Sequence, residues 1–166
     1  MALVEAFARW LQGTPLPWFV TDFRWTWPIC ETLHFLGMAM LIGTVGLIDA
    51  RMLGLFKRLP AGPLERLAPW GVAGFVLNLV TGFLFFAAAP GQYMHNDIFW
   101  YKMLFIAIAG VNVAFFYLSG LSRRVNRLEP GESAPLAAKL VAGSSLFLWF
   151  GVIFWGRMLP FLGNAF

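Results

Sequence analysis

Four ionisable side chains sit inside long apolar runs: Glu31, His34, Lys102 and Arg157. A charge in hydrocarbon is costly, so such residues pair with one another or serve a function. Glu31 and His34 are spaced i, i+3 and share a helix face, with Met38 one turn further along it. An imidazole held this way suits an axial ligand for haem b, with the carboxylate orienting the ring. Lys102 and Arg157 then suit the haem propionates. The chain has two histidines, so a bis-histidine haem within one chain needs His95, in a connection that must dip toward the bundle. A methionine is the other candidate second ligand: Met38, Met94, Met103 and Met158 all fall near the same end.

Two other chemistries use the same residues. Thioethers with imidazole select Cu(I), so Met38, Met94, His95, Met103 and Met158 around His34 read as a copper site, ranked below haem. His34, Glu31 and Trp27 or Trp100 can also hold a quinone head group. The plainer readings stand beside these. Glu31, Lys102 and Arg157 can neutralise one another, long basic side chains snorkel, a neutral histidine can simply bond a neighbouring helix, and methionine commonly fills gaps. No Ser-His-Asp arrangement, phosphate-binding loop or glycosidase-type carboxylate pair is evident.

The elements that must position these residues follow from composition. Of 166 residues, 60% are hydrophobic and 12% charged, about half the charge of a soluble domain, and the mean hydropathy is +0.72. This excludes a disordered chain, a coiled coil and an ordinary soluble enzyme. The single cysteine, Cys30, excludes an internal disulfide and any Cys-rich cluster held by this chain alone. A spanning helix takes about 20 residues, which leaves room for four. They are expected over Pro28–Ile48, Pro69–Ala89, Ile98–Leu118 and Leu140–Leu159. The fold class is therefore all-α: an integral membrane four-helix bundle, residues 28–166, as one domain. Residues 1–27 form an interfacial segment. Leu3, Val4, Phe7 and Leu11 share the apolar face of an amphipathic helix, which Pro15 and Pro17 stop. Trp18, Phe19, Phe23, Trp25 and Trp27 follow, as at a headgroup boundary. The opening lacks the layout of a signal peptide.

Basic residues set the expected orientation. Arg51, Lys57, Arg58 and Arg66 occupy the first connection, Arg123, Arg124, Arg127 and Lys139 the third, and Pro90–Asp97 has none. The positive-inside rule places the two basic connections in the cytoplasm and both termini, with His95, outside. The net charge of +4 lies mainly in these blocks and does not indicate a nucleic-acid partner. Small residues predict helix contacts: Ala39, Gly43 and Gly46 on the first span, Gly74, Asn78 and Gly82 on the second, Ala107, Gly110 and Ala114 on the third, Gly143, Ser144, Gly151 and Gly156 on the fourth. Asn78 and Asn112 are expected to bond across the bundle.

The string Trp27-Pro28, Glu31, His34, Gly37, Gly43-Thr44 and Asp49-x-Arg51-x-Leu53-Gly54 resembles a family of small bacterial four-helix inner-membrane proteins of unassigned function. Thr81-Gly82, Asn96 to Lys102, Asn112, Trp149 and Gly156-Arg157 fit as well, so the resemblance runs from Trp10 onward. More distantly the chain is similar to the membrane part of copper-resistance D proteins and to bacterial b-type cytochromes. The resemblance implies a bacterial inner-membrane location and marks Glu31, His34, Asp49, Arg51, Lys102 and Arg157 as the positions to test. It departs from bis-histidine cytochromes in having a histidine on the first span alone. The expected function is a membrane redox or electron-transfer subunit with a haem b or quinone site near the outer face. The alternative is a cofactor-free anchor, a homo-oligomer or subunit of a larger complex; copper handling is third.

Overall fold

The computed structural model describes residues 2–162, with side chains from Glu5 onward. Nine helices follow one another among these residues: α1 Ala2–Gln12, α2 Pro15–Asp22, α3 Thr26–Leu53, α4 Ala61–Glu65, α5 Ala68–Ala88, α6 Pro90–Met94, α7 Asp97–Leu118, α8 Leu121–Asn126 and α9 Leu136–Met158. Four helical stretches are long and apolar enough to cross a membrane: α3, α5 with the short α4 leading into it, α7 and α9. The all-α four-span architecture expected from composition is the one observed.

The first span is longer than its hydropathy suggests. Its 28 residues continue past Ile48 through Asp49 and Arg51, and end where Gly54 takes φ +98°. Leu55 N–H then closes back on the Ala50 carbonyl at 3.0 Å, and Gly54 N–H on Ala50 and Arg51. This is the left-handed glycine stop that relieves orphan carbonyls at a helix end. The prolines near the N-terminus also act differently from expectation. Besides following the end of α1, Pro15 opens α2 at its first position, where a missing amide costs nothing. Thr14 caps that helix by accepting from Leu16 N–H at 3.4 Å. Ala8 and Leu11 of α1 and Val20 of α2 are buried, and these two helices pack near α5 and α6. Phe7 is exposed. Leu3 and Val4 lie outside the described side chains.

The spans pack in the order α5–α3–α9–α7. The α3–α5 contact is set by glycine. A Cβ on Gly74 would stand 2.6 Å from the Gly37 carbonyl oxygen, and one on Gly37 would stand 2.8 Å from the Gly74 oxygen. Only hydrogen fits between these backbones, as in small-residue packing within membranes. The expected stripe Gly74, Asn78, Gly82 does face α3. The stripes on the first and third spans do not: Gly43 and Gly46 meet open space, and Ala107, Gly110 and Ala114 are exposed. Gly37 on α3 and Ala109 on α7 are buried instead. On α9, Gly151 admits the Phe105 ring of α7, and Gly156 admits Lys102, while Gly143 meets open space. Asn112 bonds across to α9, donating to the Val141 carbonyl at 3.2 Å and Ser144 Oγ at 2.6 Å. Asn78 Oδ1 is buried without a partner.

α5 and α7 are left at the two edges of this order. At the His95 end they meet through Phe86 and Phe99, whose rings stack 5.9 Å apart at 20°. Toward the basic end they stand on opposite sides of a cavity of about 260 Å³.

The two basic connections are tied into one cap. Arg51 is buried to 1% exposure. Its Nε donates to the Leu59 carbonyl at 2.6 Å, Nη1 to Glu132 at 3.2 Å and Nη2 to Glu129 at 3.3 Å. Gly131 N–H reaches the Lys57 carbonyl at 2.7 Å, and Asn126 Nδ2 donates to the Glu65 carboxylate.

Candidate functional site

His34 sits on the inner side of α3 facing α5. Its Nδ1 lies 2.8 Å from Thr81 Oγ1. Thr81 is 2% exposed, and its hydroxyl donates its one proton back to the Leu77 carbonyl at 2.7 Å. With that proton on Leu77, the hydroxyl receives from His34, an assignment that puts the ring proton on Nδ1. Nε2 is the ring nitrogen left without a partner. Gly82 faces the ring, and a Cβ there would make an ordinary contact 3.7 Å from His34 Cε1. Phe85, one turn on, meets the ring edge-on at 5.7 Å, and Trp27 packs against Phe85 at 4.9 Å. The imidazole is thus half-buried and held from three sides by residues of one face of α5.

Lys102 of α7 is half-buried and extends over Gly156 of α9. A Cβ on Gly156 would stand 3.5 Å from Nζ. Glu31 and Arg157 are exposed. The ring's hydrogen-bond partner is Thr81 rather than Glu31, and the Arg157 guanidinium lies 5.2 Å over the Phe161 ring. Met38 is half-buried one turn along α3. His95 is exposed in the connection after α6, with Nδ1 on the Gly91 carbonyl at 2.8 Å. Among the described residues, no three His, Cys, Asp or Glu side chains converge on one point.

The connection bearing His95 is anchored by its neighbour. Asn96 is 1% exposed. Its Oδ1 accepts from Ile98 N–H at 3.0 Å, capping α7, while Nδ2 donates to the Leu159 carbonyl at 3.1 Å. Tyr93 packs against Phe86 and Phe99, and burial pushes its phenol above the ordinary tyrosine range.

Both ends of the described helices thus use residues of the strings that carry the resemblance, and a family match covers those strings from residue 25 on, short of the start at Trp10. The chain belongs to DUF6644, a family of unknown function, matched over residues 25–162. Neither a curated protein nor a solved structure matches the chain. The matched region of DUF6644 begins beside Trp25 and takes in all four spans, so the site at His34, the Arg51 cap and the Asn96 anchor all belong to it.

Ser145 escaped the sequence reading, and Thr81 and Trp149 entered it only through the resemblance. Ser145 and Trp149 of α9 line the cavity near the basic end together with Asp49. Asp49 was among the positions the resemblance marked, but placing the helix end at Ile48 put it outside the span.

Proposed function

We propose that this protein is an integral-membrane electron-transfer subunit in which His34 holds a haem b. The observation that carries the reading is the His34–Thr81–Leu77 relay, which engages Nδ1 and leaves Nε2 as the ring nitrogen free for a ligand. Ligand histidines commonly spend their other ring nitrogen on such a partner. Lys102, half-buried on α7 near Gly156, would supply a cation that suits a propionate. Met38 and His95 would offer the further ligand atoms. Haem, when bound, supplies one-electron transfer; the chain orients the ligand and balances the charge. A quinone in its reduced, quinol form would donate a hydroxyl to the same Nε2, and copper would add the methionines.

The proposed location is a bacterial inner membrane, with the Arg51 cap in the cytoplasm and His95 with both termini in the periplasm. Eight Lys and Arg in two connections against none in Pro90–Asp97 support it. With Cys30 replaced, a cysteine at Gln92 is expected to react with an impermeant thiol reagent on intact cells; labelling only after lysis reverses the orientation.

A cofactor-free anchor is the second reading, supported by the exposure of Glu31 and Arg157, which leaves both facing outward for a partner or a second copy. The absorption spectrum of protein expressed with ample haem decides between the two. A Soret band that is lost in His34→Ala supports the haem reading. A colourless wild-type protein overturns it in favour of the anchor.

A further inference from the structure

The cavity between α5 and α7 contains two polar atoms with no partner. Asp49 is 3% exposed and Trp149 is 8% exposed. Both line the cavity, and Asp49 Oδ2 and Trp149 Nε1 are each buried without a hydrogen bond. Ser145, one turn from Trp149 on α9, lines the same cavity. A buried polar atom left unpaired costs on the order of 1–3 kcal/mol, so two on one cavity wall mark a place where something else completes the bonding.

The rest of the wall is apolar, with Leu41, Phe75 and Phe116 among it. Val72 on α5 and Val113 and Tyr117 on α7 line the cavity and are also exposed. The cavity therefore opens sideways, through the seam that α5 and α7 do not close, into the lipid phase. Its volume of about 260 Å³ is near the lower end of small-molecule sites, about 300 Å³.

The two orphan atoms restrict the chemistry. Trp149 Nε1 can only donate, so the occupant must accept. Asp49 as a carboxylate can only accept, so the occupant must donate. An ammonium ion satisfies Asp49 and leaves Trp149 unpaired. A ketone or ether does the reverse. A hydroxyl does both, and it also serves Asp49 if the acid form is present. We propose that the cavity binds a neutral, lipid-soluble molecule through a hydroxyl group that accepts from Trp149 and donates to Asp49. The molecule enters between α5 and α7, with its apolar body against Phe75 and Phe116. This site is separate from His34 and does not depend on a haem there.

Titration calorimetry of 4-hexylphenol into nanodiscs carrying the full chain tests it, with empty nanodiscs subtracting simple partition into lipid. One-site saturable binding is expected. The methyl ether 4-hexylanisole, which can accept but not donate, should bind about tenfold more weakly, the loss of one hydrogen bond. Trp149→Phe keeps the ring and removes the donor, and should weaken the phenol by a similar factor. Gly110→Phe should abolish binding, because Gly110 lines the cavity and a Cβ there meets open space. If that variant does not fold, Trp149→Phe carries the test. Competition by 1-decanol distinguishes lipid alcohols in general from hydroxylated rings, and either result keeps the hydroxyl as the recognised group. Heat equal to that of empty nanodiscs means that water alone serves the two atoms, and overturns the proposal. So does an anisole that binds as tightly as the phenol, or phenol binding unchanged in Gly110→Phe.

Discussion

His34 Nδ1 and Thr81 Oγ1 lie 2.8 Å apart across the seam between α3 and α5. The contact does two things at once. It satisfies a polar ring inside a membrane span, and it decides which ring nitrogen is left for a ligand. A histidine used only as packing glue would need the first alone.

Thr81→Val keeps the side-chain shape and removes the acceptor. The loss of one buried hydrogen bond should cost about 1 kcal/mol, read as a lower thermal midpoint in detergent. In protein carrying haem, retention of the group should fall about 10–100-fold, the usual effect of losing the partner of a ligand histidine. Thr81→Ser should restore both. Nitrogen NMR of the ring in wild-type protein should show the Nδ1–H form; a majority Nε2–H form would contradict the relay.

The glycines of α3 and α5 are not equivalent. Gly37→Ala and Gly74→Ala each force a methyl group against a facing backbone oxygen, at 2.8 Å and 2.6 Å. Backbone cannot swing aside as a side chain does, so each should cost about 1–3 kcal/mol. Gly43→Ala and Gly46→Ala meet open space and should be neutral or stabilise by up to about 1 kcal/mol through helix propensity. Unfolding of the four variants in parallel checks the contrast.

The spans were legible because hydropathy over about 20 residues is a property of the chain alone. Helix contacts were legible only in part. Gly74, Asn78 and Gly82 recur at four-residue spacing and face α3, but Gly43 and Gly46 are as small and face away, because rotation about the helix axis is set by the partner. His34 could be singled out as the one histidine within a span. Its partner could not, since Thr81 lies 47 positions away and a threonine in a span most often bonds its own helix, as Thr44 does here. Arg51 looked like a residue at a charged boundary. Its burial follows from two connections that fold over it, and nothing local in the sequence announces that.

Arg51 holds the basic cap through three carbonyls, Leu59, Glu129 and Glu132. Charge-assisted hydrogen bonds contribute about 1.5–3 kcal/mol each when one partner is removed. Arg51→Lys keeps the charge but replaces a planar fork with a single ammonium, so it should still lose part of the cap. Arg51→Met should lose more. The readout is limited proteolysis between Gly54 and Leu67 and between Leu128 and Pro135: cleavage should rise in both connections together. A rise in one connection alone would show that the guanidinium does not couple them.

Asn96 is the corresponding joint at the other end. Its two side-chain atoms do different work: Oδ1 caps α7 at Ile98, and Nδ2 ties that cap to the Leu159 carbonyl at the end of α9. Asn96→Asp keeps a good capping acceptor but turns a carboxylate toward the Leu159 oxygen, so α7 should stay helical while the tie to α9 fails. Asn96→Ala should lose both, at about 1 kcal/mol for the cap and about 1 kcal/mol for the tie. Amide hydrogen exchange separates the two. In the Asp variant protection should fall around Leu159 and persist at Phe99 and Trp100, whereas in the Ala variant it should fall at both places. Equal protection at Leu159 in the Asp variant and the wild type would mean that packing of Ile98 against Leu159, rather than the hydrogen bond, holds this end of the bundle closed.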